Sequence, residues 1–287
     1  MRIGHLEVRT IRAGTVALDG GAMFGVVPRA LWARHIPPDD RNRIHLAMRV
    51  LIVRAEDRTI VVDMGIGTGW SDKERDRLGV VEPRALRDAL HDAGVDPDAV
   101  TDVVLTHLHF DHAGGIVERE GPRATLALPE AVHHVQARNL AWARRPTPRD
   151  RASYSPWIVE ALDELARHGK LRLVEGDTTL WPDVAVRVSD GHTTGMQMVV
   201  VRGPTGGLVY PADLVPTRAH LPLAWNMGFD LRPLVVMEEK ERLLDEAVER
   251  DWIVVFEHDP EVAAARVQRD GRGRFGVREV VARGELT

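Results

Sequence analysis

Residues 105–115 read LTHLHFDHAGG and place His107, His109, Asp111 and His112 within six positions. Histidine is 13 of 287 residues, and an H-x-H-x-D-H string arises by chance in about two chains per thousand of this composition. Neutral imidazole and carboxylate are good ligands for a borderline cation such as Zn²⁺. In H-x-H both rings leave the same side of an extended backbone and can grip one ion. Asp111 and His112 come after the chain has turned, so the spacing suggests a second ion beside the first. Gly114 and Gly115 read as the point where the backbone turns sharply and a helix begins. The chain has no cysteine, which excludes thiolate zinc sites and disulfides and suits a reducing, cytoplasmic setting.

Two ions need more ligands than this run provides. His192 in SDGHTTG, Asp213 in YPADL and His258 in VFEHD each follow a run of apolar β-formers. Any one of them alone would be an ordinary strand-end polar residue. With four ligands upstream, a common edge bearing all seven is the stronger reading.

The elements that must position these residues follow from periodicity. RIHLAMRVLIV (43–53) and TIVVDMG (59–65) are β-rich and joined by a polar turn, a hairpin pattern. PRALRDALHDAG (83–94), WIVEALDELARHG (157–169) and MEEKERLLDEAVERD (237–251) carry helical spacing. A buried strand (102–106) leads into the histidine run, and a helix is expected over 129–143. That helix would set His133 and His134 at adjacent, diverging positions, poor for joint ligation. The proline-rich stretch 144–156 suits a loop or lid, and IVVFEHD (253–259) reads as a strand. Strands then helices occur twice, which predicts two mixed sheets face to face with helices outside, an α/β four-layer αβ/βα sandwich. No linker or composition shift divides residues 1–287, so a single domain is expected.

THLHFDHAGG followed by GHT, a strand-end Asp and a late strand-end His resembles the metallo-β-lactamase-fold metallohydrolase superfamily, over nearly the whole chain. The resemblance implies that His107, His109 and His192 hold one metal and Asp111, His112 and His258 the second, with Asp213 bridging. Asp63, ending TIVVD, matches the superfamily's early aspartate and would orient a ligand histidine through its other ring nitrogen. The implied cofactors are two divalent ions, zinc first, with Fe, Mn or Co as options. The implied chemistry is attack by a metal-bridging hydroxide, with Asp111 as general acid to the leaving alkoxide.

Within the superfamily the wording is similar to N-acyl-homoserine lactonases and to parathion-hydrolase-like enzymes, so a lactone or similar cyclic ester is the expected substrate. An organophosphate triester or aryl ester is the alternative. Those lactonases carry a tyrosine three residues after the bridging aspartate, where this chain has Pro216. Tyr210, His220 and Trp225 lie nearby in sequence as replacement contacts, and Met23, Phe24 and Trp32 are candidates for an acyl-chain wall. A net charge of −5 argues against a nucleic-acid partner. No apolar run reaches the ~20 residues of a membrane span. The expected partner is a small molecule, with a homodimer the commonest assembly.

Overall fold

The computed structural model describes residues 1–120 and 123–287. The first sheet holds β1 (Arg2–Ile3), β2 (Leu6–Asp19), β3 (Arg43–Arg54), β4 (Thr59–Val62), β5 (Val80–Pro83) and β6 (Asp102–Val104). After the two-stranded β7 (Val117–Glu120) and β8 (Arg123–Leu126), β9 (Val132–Gln136) and β10 (Leu171–Val174) complete it. Its order is β1-β2-β3-β4-β6-β9-β10, with β5 beside β2. The expected hairpin forms: β3 and β4 run antiparallel, with Leu51 opposite Val62. β4, β6 and β9 are parallel neighbours, so the chain leaves each at the same sheet edge.

The second sheet runs in chain order: β11 (Thr178–Trp181), β12 (Val184–Ser189), β13 (Met196–Gly203), β14 (Gly206–Tyr210), β15 (Ile253–Val255), β16 (Val262–Arg269) and β17 (Phe275–Arg283). Only β14 and β15 are parallel within it, joined by a long crossover.

The helices are α1 (Gly20–Phe24), α2 (Arg29–Trp32), α3 (Asp72–Leu78), α4 (Leu86–Asp92), α5 (Phe110–Ala113), α6 (Ala137–Ala143), α7 (Pro156–Arg167) and α8 (Pro233–Glu249). Side-chain alternation explains the layering. Leu51, Val53, Ile60, Val62 and Val104 meet the second sheet in one core. Their neighbours Val50, Ile52, Val61 and Val103 face the other way, onto Leu86 and Leu90 of α4 and Leu162 and Leu165 of α7. Each central strand is therefore apolar on both faces, as buried parallel strands are. On the far side, α8 buries Leu243, Leu244 and Ala247, and its Glu246 pairs with Arg187 of β12. The architecture is the predicted αβ/βα sandwich.

One expected helix is corrected. The segment 129–143 is not helical throughout: Val132–Gln136 is β9, and α6 begins only at Ala137. His133 and His134 therefore point to opposite sheet faces, and both are buried. His134 Nε2 lies 2.8 Å from Asp102 Oδ1 on the neighbouring strand. Periodicity failed here because a strand buried on both faces has no polar side, and its apolar run continues into the following helix.

The last residues fasten the two sheets together. The Thr10 amide donates to Leu286 O at 2.9 Å, and the Leu286 amide to Thr10 Oγ1 at 2.8 Å. Buried Arg49 on β3 donates to Gly284 O at 2.8 Å and Phe256 O at 3.0 Å, and also to Asp259 O.

Candidate metal centre

The chain leaves β4 at Asp63 and β6 at Thr106, side by side. Asp63 sits in the left-handed region at φ 61°, a conformation Asp tolerates better than most residues. It accepts from the Thr106 amide and from Thr106 Oγ1, both at 2.7 Å. His107 follows at once, α5 carries Asp111 and His112, and the Leu108 amide is held by Asn139 Oδ1 at 3.0 Å.

Gly114 and Gly115 act differently from expectation. The α-helix precedes them, Gly114 has an ordinary helical φ of −61°, and only a 3-10 turn, Gly114–Ile116, begins there. What they supply is space: a Cβ on Gly115 would stand 2.1 Å from Met64 O, and one on Gly114 2.6 Å from Ile66 O. Close approach to residues 64–66 is what admits only glycine.

Donor atoms of all seven residues singled out as ligands converge in two groups: His107, His109, His192 and Asp213, and Asp111, His112 and His258. In the first, His109 Nδ1 stands 3.0 Å from His107 Nε2 and 3.2 Å from His192 Nε2. In the second, His112 Nε2 and His258 Nε2 are 3.2 Å apart, each 3.8 Å from Asp111 Oδ2. Asp213 lies between the groups, with Oδ2 3.1 Å from His192 Nε2 and Oδ1 3.0 Å from His258 Nε2.

These donors suit a cation. Tetrahedral ligands on bonds of ~2.0–2.1 Å stand about 3.3 Å apart, close to the nitrogen separations seen. Imidazole nitrogens turned toward one another make poor mutual hydrogen bonds, and Asp213 Oδ1 is buried without a hydrogen-bond partner. The charge pattern agrees. Burial holds His107 and His109 well below their usual range, with neighbouring imidazoles adding to the effect. Burial also opposes the charged form of His192, but Asp213 and Asp230 push it up to about 10. His258 reaches about 9 against burial, through Asp213 and then Glu257. Asp213 thus draws positive charge onto the imidazoles beside both of its oxygens.

Partners behind the rings fix their direction. His112 Nδ1 is 3.1 Å from Asp63 Oδ2, His192 Nδ1 is 2.8 Å from Asp230 Oδ1, and His258 Nδ1 is 2.9 Å from Ala47 O. Asp63 thus stands against His112, as the resemblance implied. Asp230 was missed, since nothing in GFDLRP marks its aspartate. Glu257 was also missed, although FEHD had been singled out: its Oε1 lies 3.1 Å from His112 Nδ1. Tyr154 was overlooked inside the proline-rich stretch. Its ring meets His109 edge-on at 4.7 Å, and its hydroxyl is 2.7 Å from Thr193 Oγ1.

A cavity of about 290 Å³ opens over the centre, with His109, Asp111, His192, Asp213 and His258 at its floor. Its walls are largely apolar: Leu18, Met23, Leu46, Phe110, Met227 and Phe229. Met23 lines it as expected, whereas the other tentative contacts do not. Tyr210 is fully buried, its hydroxyl donating to Arg49 O at 2.7 Å. His220 is also buried, with Nε2 2.8 Å from Met23 O and Nδ1 2.8 Å from Thr217 Oγ1. Phe24 is inaccessible, stacked between Trp32 and His220, with Trp225 against its edge. Trp32 and Trp225 thus support the wall from behind. Sequence proximity misled because the short 3-10 turn Arg218–His220 and the loop that follows it fold back under α1. Buried Lys240 on α8 holds that loop by donating to Trp225 O at 2.9 Å and Asn226 Oδ1 at 2.9 Å.

Residues 49–258 match the family model described as the metallo-beta-lactamase superfamily, and the chain belongs to that superfamily. It is a metallo-hydrolase, related at low identity to N-acyl homoserine lactonases. One such relative, from Bacillus cereus, is 24% identical over 238 residues, covering 77% of this chain and 84% of the relative. A probable metal-dependent hydrolase from Staphylococcus aureus superposes with a TM-score of 0.83 at 27% identity, covering 98% of this chain and all of the other. The dizinc quorum-quenching lactonase AidC, in complex with a product, has a similar fold: TM-score 0.79 at 18% identity, covering 96% and 95%.

Proposed function

We propose that this protein is a dinuclear-metal hydrolase of lactones, of the N-acyl-homoserine type or a similar cyclic ester. The observation that carries the reading is the convergence of seven buried or nearly buried donors at the floor of an apolar-walled cavity. His107, His109 and His192 would hold one divalent ion, Asp111, His112 and His258 the other, with Asp213 shared. Zinc suits this donor set best. Such a pair supplies Lewis acidity and lowers the pKa of a water toward about 7.

The protein's own groups do the rest. Asp63, Asp230 and Ala47 O fix the ring directions in advance, so little reorganisation is needed during reaction. Leu18, Leu46, Phe110, Met227 and Phe229 exclude water and would take the acyl chain. Asp111 faces the cavity and is placed to carry a proton to the departing alkoxide.

A phosphotriester is the second reading, favoured by Pro216 and by the absence of any phenol among the residues lining this cavity. The test is proton release by zinc-loaded protein at near-neutral pH, with an N-acyl-homoserine lactone and then with methyl paraoxon. Acid release with the lactone is expected. Release with the phosphotriester alone would replace the first reading by the second, and turnover of neither would remove both substrates while leaving the metal site standing.

A further inference from the structure

We infer that Glu257 is a positioning residue that raises the affinity of the Asp111–His112–His258 group for a divalent cation, acting through His112. The inference rests on the reading of this centre as a metal site.

His112 has two carboxylates behind it. Asp63 Oδ2 and Glu257 Oε1 both lie 3.1 Å from Nδ1, yet only Asp63 meets hydrogen-bond geometry with the ring. Asp63 is well satisfied, since Thr106 donates to both of its oxygens. Glu257 is not. It is 1% exposed, and neither Oε1 nor Oε2 has a hydrogen-bond partner. The Tyr210 hydroxyl, which feels the Glu257 charge, is committed to Arg49 O at 2.7 Å.

A buried carboxylate without donors is costly to a fold, and a second one beside Asp63 adds like-charge repulsion. Packing alone would be better served by glutamine or leucine. The arrangement gains a rationale when positive charge sits on the other side of the imidazole. Two negative groups behind Nδ1 then make Nε2 a stronger donor and offset the charge of an ion held there. A residue of this kind weakens the empty protein and strengthens the loaded one.

That opposition supplies the test. Glu257→Gln and, as a second variant, Glu257→Leu are compared with wild type by Zn²⁺ titration against a competing chelator and by melting of chelator-treated protein. The expected result is a 10- to 100-fold loss of affinity for one of two zinc equivalents, with the metal-free melting temperature unchanged or raised in at least one variant. Asp63→Asn serves as the contrast, because loss of its hydrogen bonds lowers both quantities. Wild-type zinc affinity in both Glu257 variants would overturn the inference, and so would a lowered metal-free melting temperature in both, which marks a structural role. A wild-type protein that takes up no zinc would overturn the metal-centre reading, and this inference with it.

Discussion

Replacing Phe24 by alanine separates a ring that supports the cavity from a ring that touches the substrate. Phe24 is 0% exposed, with Trp32 stacked on it at 5.2 Å and His220 at 4.6 Å. Removing a buried phenyl ring costs about 3–5 kcal/mol in lost transfer and cavity terms. An unfolding entropy of about 2.1 cal/mol/K per residue over 287 residues is about 600 cal/mol/K. A loss of about 4 kcal/mol then lowers the melting temperature by about 7 °C. No ligand-bearing element carries Phe24, so zinc content should stay at the wild-type value. KM should rise modestly as Met23 relaxes, while kcat is largely kept. The assay is calorimetric melting of chelator-treated protein, alongside zinc analysis and lactone kinetics. A melting shift below about 2 °C combined with a large rise in KM would refute the reasoning, since it would mark a ring that faces substrate.

His109→Ala removes a nitrogen 3.0 and 3.2 Å from its two neighbours, and should abolish hydrolysis and cut bound zinc; full activity would refute the ligand assignment. His134→Ala should lower stability through the lost Asp102 partner but leave zinc content unchanged, as elemental analysis will show. Burial pushes His133 down to about 4 and His220 to about 3, from a usual 6.5. The unfolded chain therefore takes up protons at these two positions between those values, so their contribution to stability is full above pH 6.5 and drains away as pH falls toward 3–4. Urea unfolding of metal-free protein at pH 7 and 5 should show that loss, and His133→Asn should reduce it; equal losses in the two proteins would contradict the assignment.

The candidate ligands were legible because coordination chemistry leaves few substitutes. The H-x-H-x-D-H run declared itself by type and spacing, and His192, Asp213 and His258 by ending apolar β-runs. The layers were legible from the order of strands and helices; which of Val50 to Val53 serves which core was not, because the run is apolar throughout. The groups behind the ligands were not legible either. Asp230 reaches His192 from a loop 38 positions further along the chain, and a carbonyl such as Ala47 O has no side-chain signature. Substrate contacts fared worst. Phe24, Tyr210, His220 and Trp225 suit substrate contact by kind and nearness in sequence, but an aromatic ring is as useful in a core as at a surface. His133 and His134 were placed on a helix because an apolar run hides where a strand ends.

The seven donors are spread from residue 107 to residue 258 and are brought together only when both sheets are paired. During synthesis at about 5–20 residues per second, His258 leaves the ribosome about 7–30 s after His112. Early in that interval the nascent chain carries four donors; His192 and Asp213 follow, and the Asp111–His112 group lacks its third member until the end of it. An ion caught by Asp111 and His112 before then would lack the His258 nitrogen and be readily surrendered. On the proposed reading, the second ion would be chosen by a pocket that His258 has finished and not by a growing chain.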